Sequence, residues 1–542
     1  MSAFTGTRRL VRLALRRDRV QLSIWILALL LTLAVTVSSI VELYPGDEER
    51  FALTVSSAHS PVTLMTAGLV SGDSLGATAM TQGYLVIAIG AALMSTLCVV
   101  RHTRQNEETG RSELIGSAVV GRHASLTAAL VVAVGANVVL GLLSTLVLVG
   151  QDLPVAGSIG SGAALAAVGV AFAAIAAVTA QVAETSRGAN GMAAAAIGLA
   201  FLLRAIGDVS GKVVDGGLTV ISAWPSWLSP IGWGQQFRPY DDDNWWVFGL
   251  FVVALAGLVA TAFALTVRRD VGAGLRQVQP GAPSAAPGLL SPLGLAWRLQ
   301  RGVLLGWAVG IAVLGGTYGA VGDEIGELIG DSEEMAAFLE QLGGAGNLTD
   351  AYFAATLSIA GLAAAAYAIQ ALLRMRSEEA GGRVESLLAT SVSRARWMWS
   401  HIAIAILGTI VLIALMGLSA GVAYGLVVGD MAEQVSTLVA AALVQVPAAL
   451  ALAGLAVAIF GLLPNRAVAL SWAGLAACFL MGQLGAILDL PQAVLNLSPF
   501  THVPAAPADD VTALPLLVLL LVAVAFTAAG IASFRRRDLA LT

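Results

Sequence analysis

The chain predicts an all-α polytopic membrane protein built as two parallel six-helix units, and three observations lead there: sustained apolar runs, a one-sided distribution of arginine, and an internal repeat. Of its 542 residues 57% are hydrophobic and only 12% charged, with a mean hydropathy of +0.84. Runs of Ala, Leu, Val and Gly repeatedly exceed the roughly 20 residues that cross a bilayer as helix. They lack the alternation of a barrel strand, so backbone hydrogen bonds must close within helices. The predicted spans, about twelve, cover about 21–43, 82–100, 124–149, 160–182, 191–208, 246–267, 302–320, 353–373, 400–427, 436–462, 467–488 and 512–534.

Orientation follows from the basic residues. If the N-terminus is cytoplasmic, all but Arg50, Arg204, Lys212 and Arg238 of the 29 Lys and Arg fall on the inner side, which is the positive-inside pattern. Both termini are therefore expected in the cytoplasm of a bacterial cell. The outer loops come out acidic, at Asp47-Glu48-Glu49 and Asp241-Asp242-Asp243, and account for the net charge of −5 without implying nucleic acid. Arg8 to Arg19 precede an apolar run longer than a signal-peptide core, so the first span reads as an uncleaved signal anchor. Within residues 5–19 the spacing of Leu10, Val11, Leu13 and Leu15 among arginines predicts a helix lying in the inner interface; a plain charge cluster is the simpler reading.

The repeat sets the domain organisation. Arg104-x-x-Glu107-x-x-Gly110-Arg111-x-Glu113 with Val120-x-Arg122 recurs ungapped as Arg376-x-x-Glu379-x-x-Gly382-Arg383-x-Glu385 with Val392-x-Arg394. The starts of the halves also match, in Leu13-Ala14-x-Arg16 and Leu295-Ala296-x-Arg298, and so do their ends, in Arg268-Arg269-Asp270 and Arg536-Arg537-Asp538. The expected units are 1–270 and 289–542, joined by a Pro/Gly/Ala-rich cytoplasmic linker over 271–288. An even number of spans per unit makes the repeat parallel.

On a helix, Glu107 with Arg111 and Glu379 with Arg383 form i,i+4 pairs in the favourable orientation. Gly110 and Gly382 predict a break or tight turn, with Leu114-Ile115 and Leu387-Leu388 supplying apolar surface beyond it. Two readings compete: a charged connector copied along with its unit, or a coupling element that passes the motion of a soluble motor to the helices. Retention of the charges in register while the surrounding spans diverge favours the second.

These residues resemble the membrane subunit (permease) of ABC-2-type exporters, most closely the actinobacterial branch of polyketide-antibiotic and multidrug, tetronasin-type, efflux permeases. The resemblance covers the whole chain. It implies ATPase contacts at about 5–19, 103–118 and 375–390, with 289–301 as a second interfacial helix. The coupling residues implied are Arg104, Glu107, Gly110, Arg111, Glu113 and Arg122, with Arg376, Glu379, Gly382, Arg383, Glu385 and Arg394. It also implies a cavity for lipophilic cargo faced by Tyr84 and Met94, Phe201, Tyr367 and Gln370, and Trp472, Phe479, Met481 and Gln483. No G-x-x-x-x-G-K-[S/T] loop occurs around the single lysine, Lys212. ATP and Mg would therefore be bound by two copies of a separate ABC ATPase subunit, and this chain would be a transport subunit surrounded by membrane lipids, with no cofactor and no enzyme activity of its own.

Two alternatives belong to other classes. A proton-coupled major-facilitator-type antiporter requires a Gly-x-x-x-Asp-Arg-x-Gly loop and intramembrane charges; Arg204, about one turn from the outer end of its span, reads as an interfacial anchor. A membrane enzyme requires convergent nucleophiles or metal ligands, whereas the five histidines are scattered and Cys98 and Cys478 lie in separate spans. The outer segments 209–245 and 490–511 read as re-entrant elements or as anchoring loops.

Overall fold

The computed structural model describes residues 2–270, 272–275, 283–322, 348–484 and 491–539. They divide into two compact units, Met1–Gly281 and Ala282–Thr542. In the first unit the long helices are α1 (Thr7–Leu43), α2 (Leu75–His102), α3 (Ala124–Val149), α4 (Val155–Val182), α5 (Ser186–Val209) and α6 (Phe248–Val267). In the second they are α7 (Pro292–Val321), α8 (Leu348–Ala380), α9 (Arg394–Val428), α10 (Met431–Leu443), α11 (Val446–Leu462), α12 (Ala467–Leu484) and α13 (Ala513–Arg536).

Among the described residues eleven helical stretches are long and apolar enough to cross a membrane, and strand is confined to a short hairpin, Lys212–Val214 with Thr219–Ile221. The chain is an all-α multi-pass membrane protein. The expected span 436–462 is a broken one, α10 followed by α11 with Pro447 at the second helical position, where the missing N–H costs nothing. The expected span 467–488 is represented by α12; its last residues, with the side chain of Gln483, lie outside the described residues, as does most of the segment 321–352.

The segments 5–19 and 289–301 are helical, but not as separate interfacial helices. α1 runs unbroken through 37 residues, about 55 Å at 1.5 Å per residue, so its arginine-rich first turns extend the same rod that spans the membrane. α7 is likewise continuous from Pro292, whose N-cap Ser291 accepts from Gly294 N–H. Neither arginine-rich start, Thr7–Arg19 nor Leu293–Arg301, holds a glycine pair or internal proline that would turn the axis.

The two units repeat one another in packing as well as in sequence. In the first, α4 is central, against α2, α3, α5 and α6, and α1 packs on α3. In the second, α11 packs on α8, α12 and α13, while α9 packs on α7 and α10. Small residues make these approaches. Gly417, Gly421 and Gly425 line one face of α9, where an added Cβ would lie 2.5–2.6 Å from backbone atoms of α10. With no water to drive helices together, such backbone proximity is the source of dispersion energy.

The opposite, acid-rich end of the first unit is closed by residues 209–247. The short helix Pro230–Gln236 buries Ile231 and Gly234 against α2, α4 and α5, and the Tyr84 hydroxyl donates to Ile231 O at 3.1 Å. The segment packs onto the helix bundle of its own unit. Trp227 and Trp246 stack with centroids 5.5 Å apart, while Trp224, Trp245 and Trp246 expose their rings, as suits a headgroup region. Tyr240 lies against Gly76 and Gly157 and shares a 2.9 Å hydrogen bond with Ser158; burial raises the pKa of its phenol.

Gly421→Leu is expected to destabilise the second unit by about 1–3 kcal/mol, read as a lower unfolding midpoint in detergent. Gly302→Leu, at a glycine with open space around it, leaves the midpoint in place.

Candidate coupling site

The repeated motif sits at the arginine-rich end of each unit. In the first, α2 breaks at Thr103 and a short helix, Arg104–Glu108, follows; Gly110 then takes a left-handed conformation (φ 71°) and starts a second short helix, Arg111–Gly116. In the second, α8 continues to Ala380, and Gly382 (φ 69°) starts the helix Arg383–Leu388. The break expected at each glycine is thus a positive-φ hinge, a conformation costing other residues about 1–2 kcal/mol.

That hinge removes the expected pairs. Glu107 and Arg111, and Glu379 and Arg383, fall on different helices, and both acids turn inward to an arginine at the end of their unit's last helix. Glu107 accepts from Arg269 at 2.7 and 2.8 Å and from Arg104 at 2.8 Å. Glu379 accepts from Arg537 at 2.6 and 3.0 Å, with Arg376 at 3.8 Å. The Glu379 side chain is 0% exposed and that of Glu107 14%, and a two-pronged guanidinium pairing suits such burial far better than an exposed helical pair. Arg269 and Arg537 belong to the repeated Arg-Arg-Asp, so two motifs far apart in the sequence are halves of one clamp.

Further bonds fix the clamp to the helices. Arg104, fully buried, donates to Ala180 O at the end of α4 at 2.6 and 2.9 Å, and Arg269 Nε to Gln181 at 2.6 Å. Arg537 donates to Gly461 O at the end of α11 and lies over the mutually stacked rings of Phe460 and Phe534. Arg122 and Arg394, the distal arginines of the repeat, donate to carbonyls ending the last helices: Arg122 to Val267 O, and Arg394 to Phe534 O and Arg537 O. Cations belong at helix C-termini, where carbonyls lack partners.

The motif therefore divides. Arg104, Glu107, Arg376 and Glu379 are spent on the clamp, while Arg111, Glu113, Arg383 and Glu385 stay exposed on the short helices. In the first unit Leu114 is 77% exposed; in the second Val384 is buried and Leu387 and Leu388 are half-buried.

The residues expected to face a cavity separate in the same way. Tyr84, Met94 and Tyr367 are buried in the cores of their own units, Tyr367 against Gly408. Phe201 lies beneath Arg204, and Gln370 accepts from Trp307 Nε1 at 2.7 Å. Trp472 and Phe479 expose 39% and 48% of their surface and, with Leu362 on α8, line an apolar groove; Met481 is half-buried.

Sequence reasoning missed two buried charge pairs. Arg204 is not an exposed anchor: its side chain is 0% exposed, 3.3 Å from Asp208, and donates to Leu64 O and Met65 O, while Asp208 accepts from Ser222 at 2.7 Å. At the arginine-rich end His102 meets Asp18 at 2.6 Å, with Arg101 3.0 Å from the same carboxylate. The i,i+4 spacing of Arg204 and Asp208 was a readable signal; the meeting of Asp18 with His102 required the fold.

Two helical units, with eleven membrane-length stretches among the described residues and an arginine-rich end clamped to the last helix in each, define a multi-pass membrane protein. Comparison with known proteins agrees. Residues 289–535 match the family model described as the C-terminal domain of the multidrug efflux system permease Rv1217c. The multidrug efflux system permease protein Rv1217c of Mycobacterium tuberculosis (strain ATCC 25618 / H37Rv) is 42% identical over 539 residues, covering 99% of this chain and 96% of that protein. The chain belongs to this family of efflux permeases.

Glu379→Gln is expected to cost about 3–5 kcal/mol by leaving Arg537 buried without its counter-charge, and Glu107→Gln less, whereas Glu385→Gln leaves the unfolding midpoint unchanged. Gly382→Ala should cost about 1–2 kcal/mol although space for the methyl group is open; unfolding midpoints in detergent measure all four.

Proposed function

We propose that the chain is the permease subunit of an ATP-driven exporter of the ABC-2 type, in the actinobacterial multidrug and polyketide branch, carrying lipophilic compounds out of the cytoplasm or inner leaflet. Two copies of a separate ATPase, binding ATP and Mg, would engage the exposed faces of Arg111–Gly116 and Arg383–Leu388. Both termini would then lie in the cytoplasm. The supporting observation is the duplicated clamp: Glu107–Arg269 and Glu379–Arg537 each tie the segment just before the hinge glycine, which carries the exposed short helix, to the end of its unit's last helix. A push on the exposed charges would thus move a bonded end of the whole unit, where a loose loop would absorb it. The relative's name supports efflux of several drugs, and the apolar groove beside Trp472 and Phe479 supports lipophilic cargo.

A proton-driven antiporter finds less support. The buried pairs Asp18–His102 and Arg204–Asp208 lie at opposite ends of the first unit, the former beside the end of α2 and the latter beside the helix preceding its start. Each is already neutralised by its own partners.

Glu113→Arg with Glu385→Arg, both exposed on the short helices, is expected to abolish co-purification with the cognate ATPase, or its vanadate-sensitive stimulation, while the unfolding midpoint of the permease alone stays within about a degree of wild type. Unchanged stimulation in that double variant would overturn the assignment. Drug efflux that follows a pH gradient without ATP would favour the antiporter.

A further inference from the structure

Between the first turns of α1, the short helix Arg111–Gly116 and the end of α6 lies a cavity of about 610 Å³. Its charges do not balance. Arg17, Arg111, Arg122 and Arg269 face it against Glu107 and Asp270, and Glu107 is already held by Arg269 and Arg104. Arg17 bonds only the neutral amide of Asn106, at 2.8 Å, and Arg111 has no carboxylate partner among the described residues. Burial and the nearby charges of Arg101 and Arg111 all disfavour the charge on Arg17, and Asp18 offsets them only in part. Apolar residues, among them Leu10, Leu13, Ile115 and Leu126, form the rest of the wall. Leu13 is also 55% exposed on the outer face of α1.

The second unit shows what happens when such a site is not kept. Leu299 stands where Arg17 stands, and Glu378 where Asn106 stands. Glu378 takes Arg374 at 2.8 Å and Arg383, the counterpart of Arg111, also at 2.8 Å. The same architecture thus neutralises itself internally in one unit and leaves guanidinium groups uncompensated beside an apolar wall in the other. Packing alone does not require that difference, because both units build the glutamate–arginine clamp to the last helix.

We propose that this cavity of the first unit binds the phosphate of an anionic phospholipid, with Arg17, Arg111 and Arg122 around the headgroup and the acyl chains along the apolar wall. Pockets that combine basic groups with apolar surface at the inner end of membrane helices suit such headgroups. Arg111 is shared with the face assigned to the ATPase, and a test on the permease alone separates the two readings.

The test titrates full-length permease in a neutral detergent with phosphatidylglycerol, phosphatidylcholine or inorganic phosphate, and follows the unfolding midpoint. Phosphatidylglycerol should raise it saturably and the other two should not. Arg17→Gln should weaken half-saturation roughly fivefold, as loss of one near-surface guanidinium does, and so should Asn106→Glu, which imports the second unit's acid without disturbing a core residue. Arg396→Gln, an exposed arginine of the second unit, should leave the titration unchanged. Equal protection by phosphatidylcholine, equal weakening in Arg396→Gln, or no weakening in either first-unit variant would overturn the proposal. Protection by inorganic phosphate at the same concentration would overturn the lipid source in favour of a soluble phosphate.

Discussion

The clamp between a buried glutamate and the arginine ending the last helix is the interaction on which each unit's arginine-rich end depends. Two charges taken from water cost several kcal/mol apiece unless every remaining donor is satisfied. Here they are: Arg269 also meets Gln181, and Arg537 also meets Gly461 O and two aromatic faces. The same contacts join helix ends that Arg122 and Arg394 also tie through their carbonyls. Removing one partner strands the other, which explains why this pair stays in register between units while the residues around it vary.

The left-handed glycine is what lets one short segment serve two ends. A continuous helix would carry Glu107 and Arg111 on one face, either both inward or both outward. The turn at Gly110 separates them, so the acid reaches the helix bundle and the arginine faces away. Gly382 repeats the solution with the same φ to within two degrees. The N-terminal residues join this assembly in the first unit, where Gly121 N–H donates to Thr5 O, His123 N–H donates to Ala3 O, and Phe4 packs on His123 and Phe263.

Duplication with unequal upkeep is the second theme. The helix neighbours correspond pair for pair, yet the charges around the clamp are balanced differently, with Arg17 and Asn106 in one unit and Leu299 and Glu378 in the other. The opposite end differs too. The first unit buries an Arg204–Asp208 pair that ties α5 to the segment before α2, a rigid plug made from polar groups in a region otherwise packed by glycine and aromatic rings.

The sequence by itself determined the membrane class, the positions of the long helices and the twofold repeat, because hydrophobic length and arginine placement act locally and additively. It also marked the turn at Gly110 and Gly382, since backbone preference is a property of the residue. Tertiary structure alone decided which way the charged side chains point. Glu107 has an arginine four positions away in sequence and another 162 away, and only the packing of α6 against α4 brings the distant one to 2.7 Å. Burial then makes that pairing the stronger, reversing what helical spacing implies. For the same reason Arg204 became a buried tie instead of an anchor, and Tyr84, Met94 and Tyr367 became core: a span's sequence says that it is apolar, but which face meets protein is settled by its neighbours.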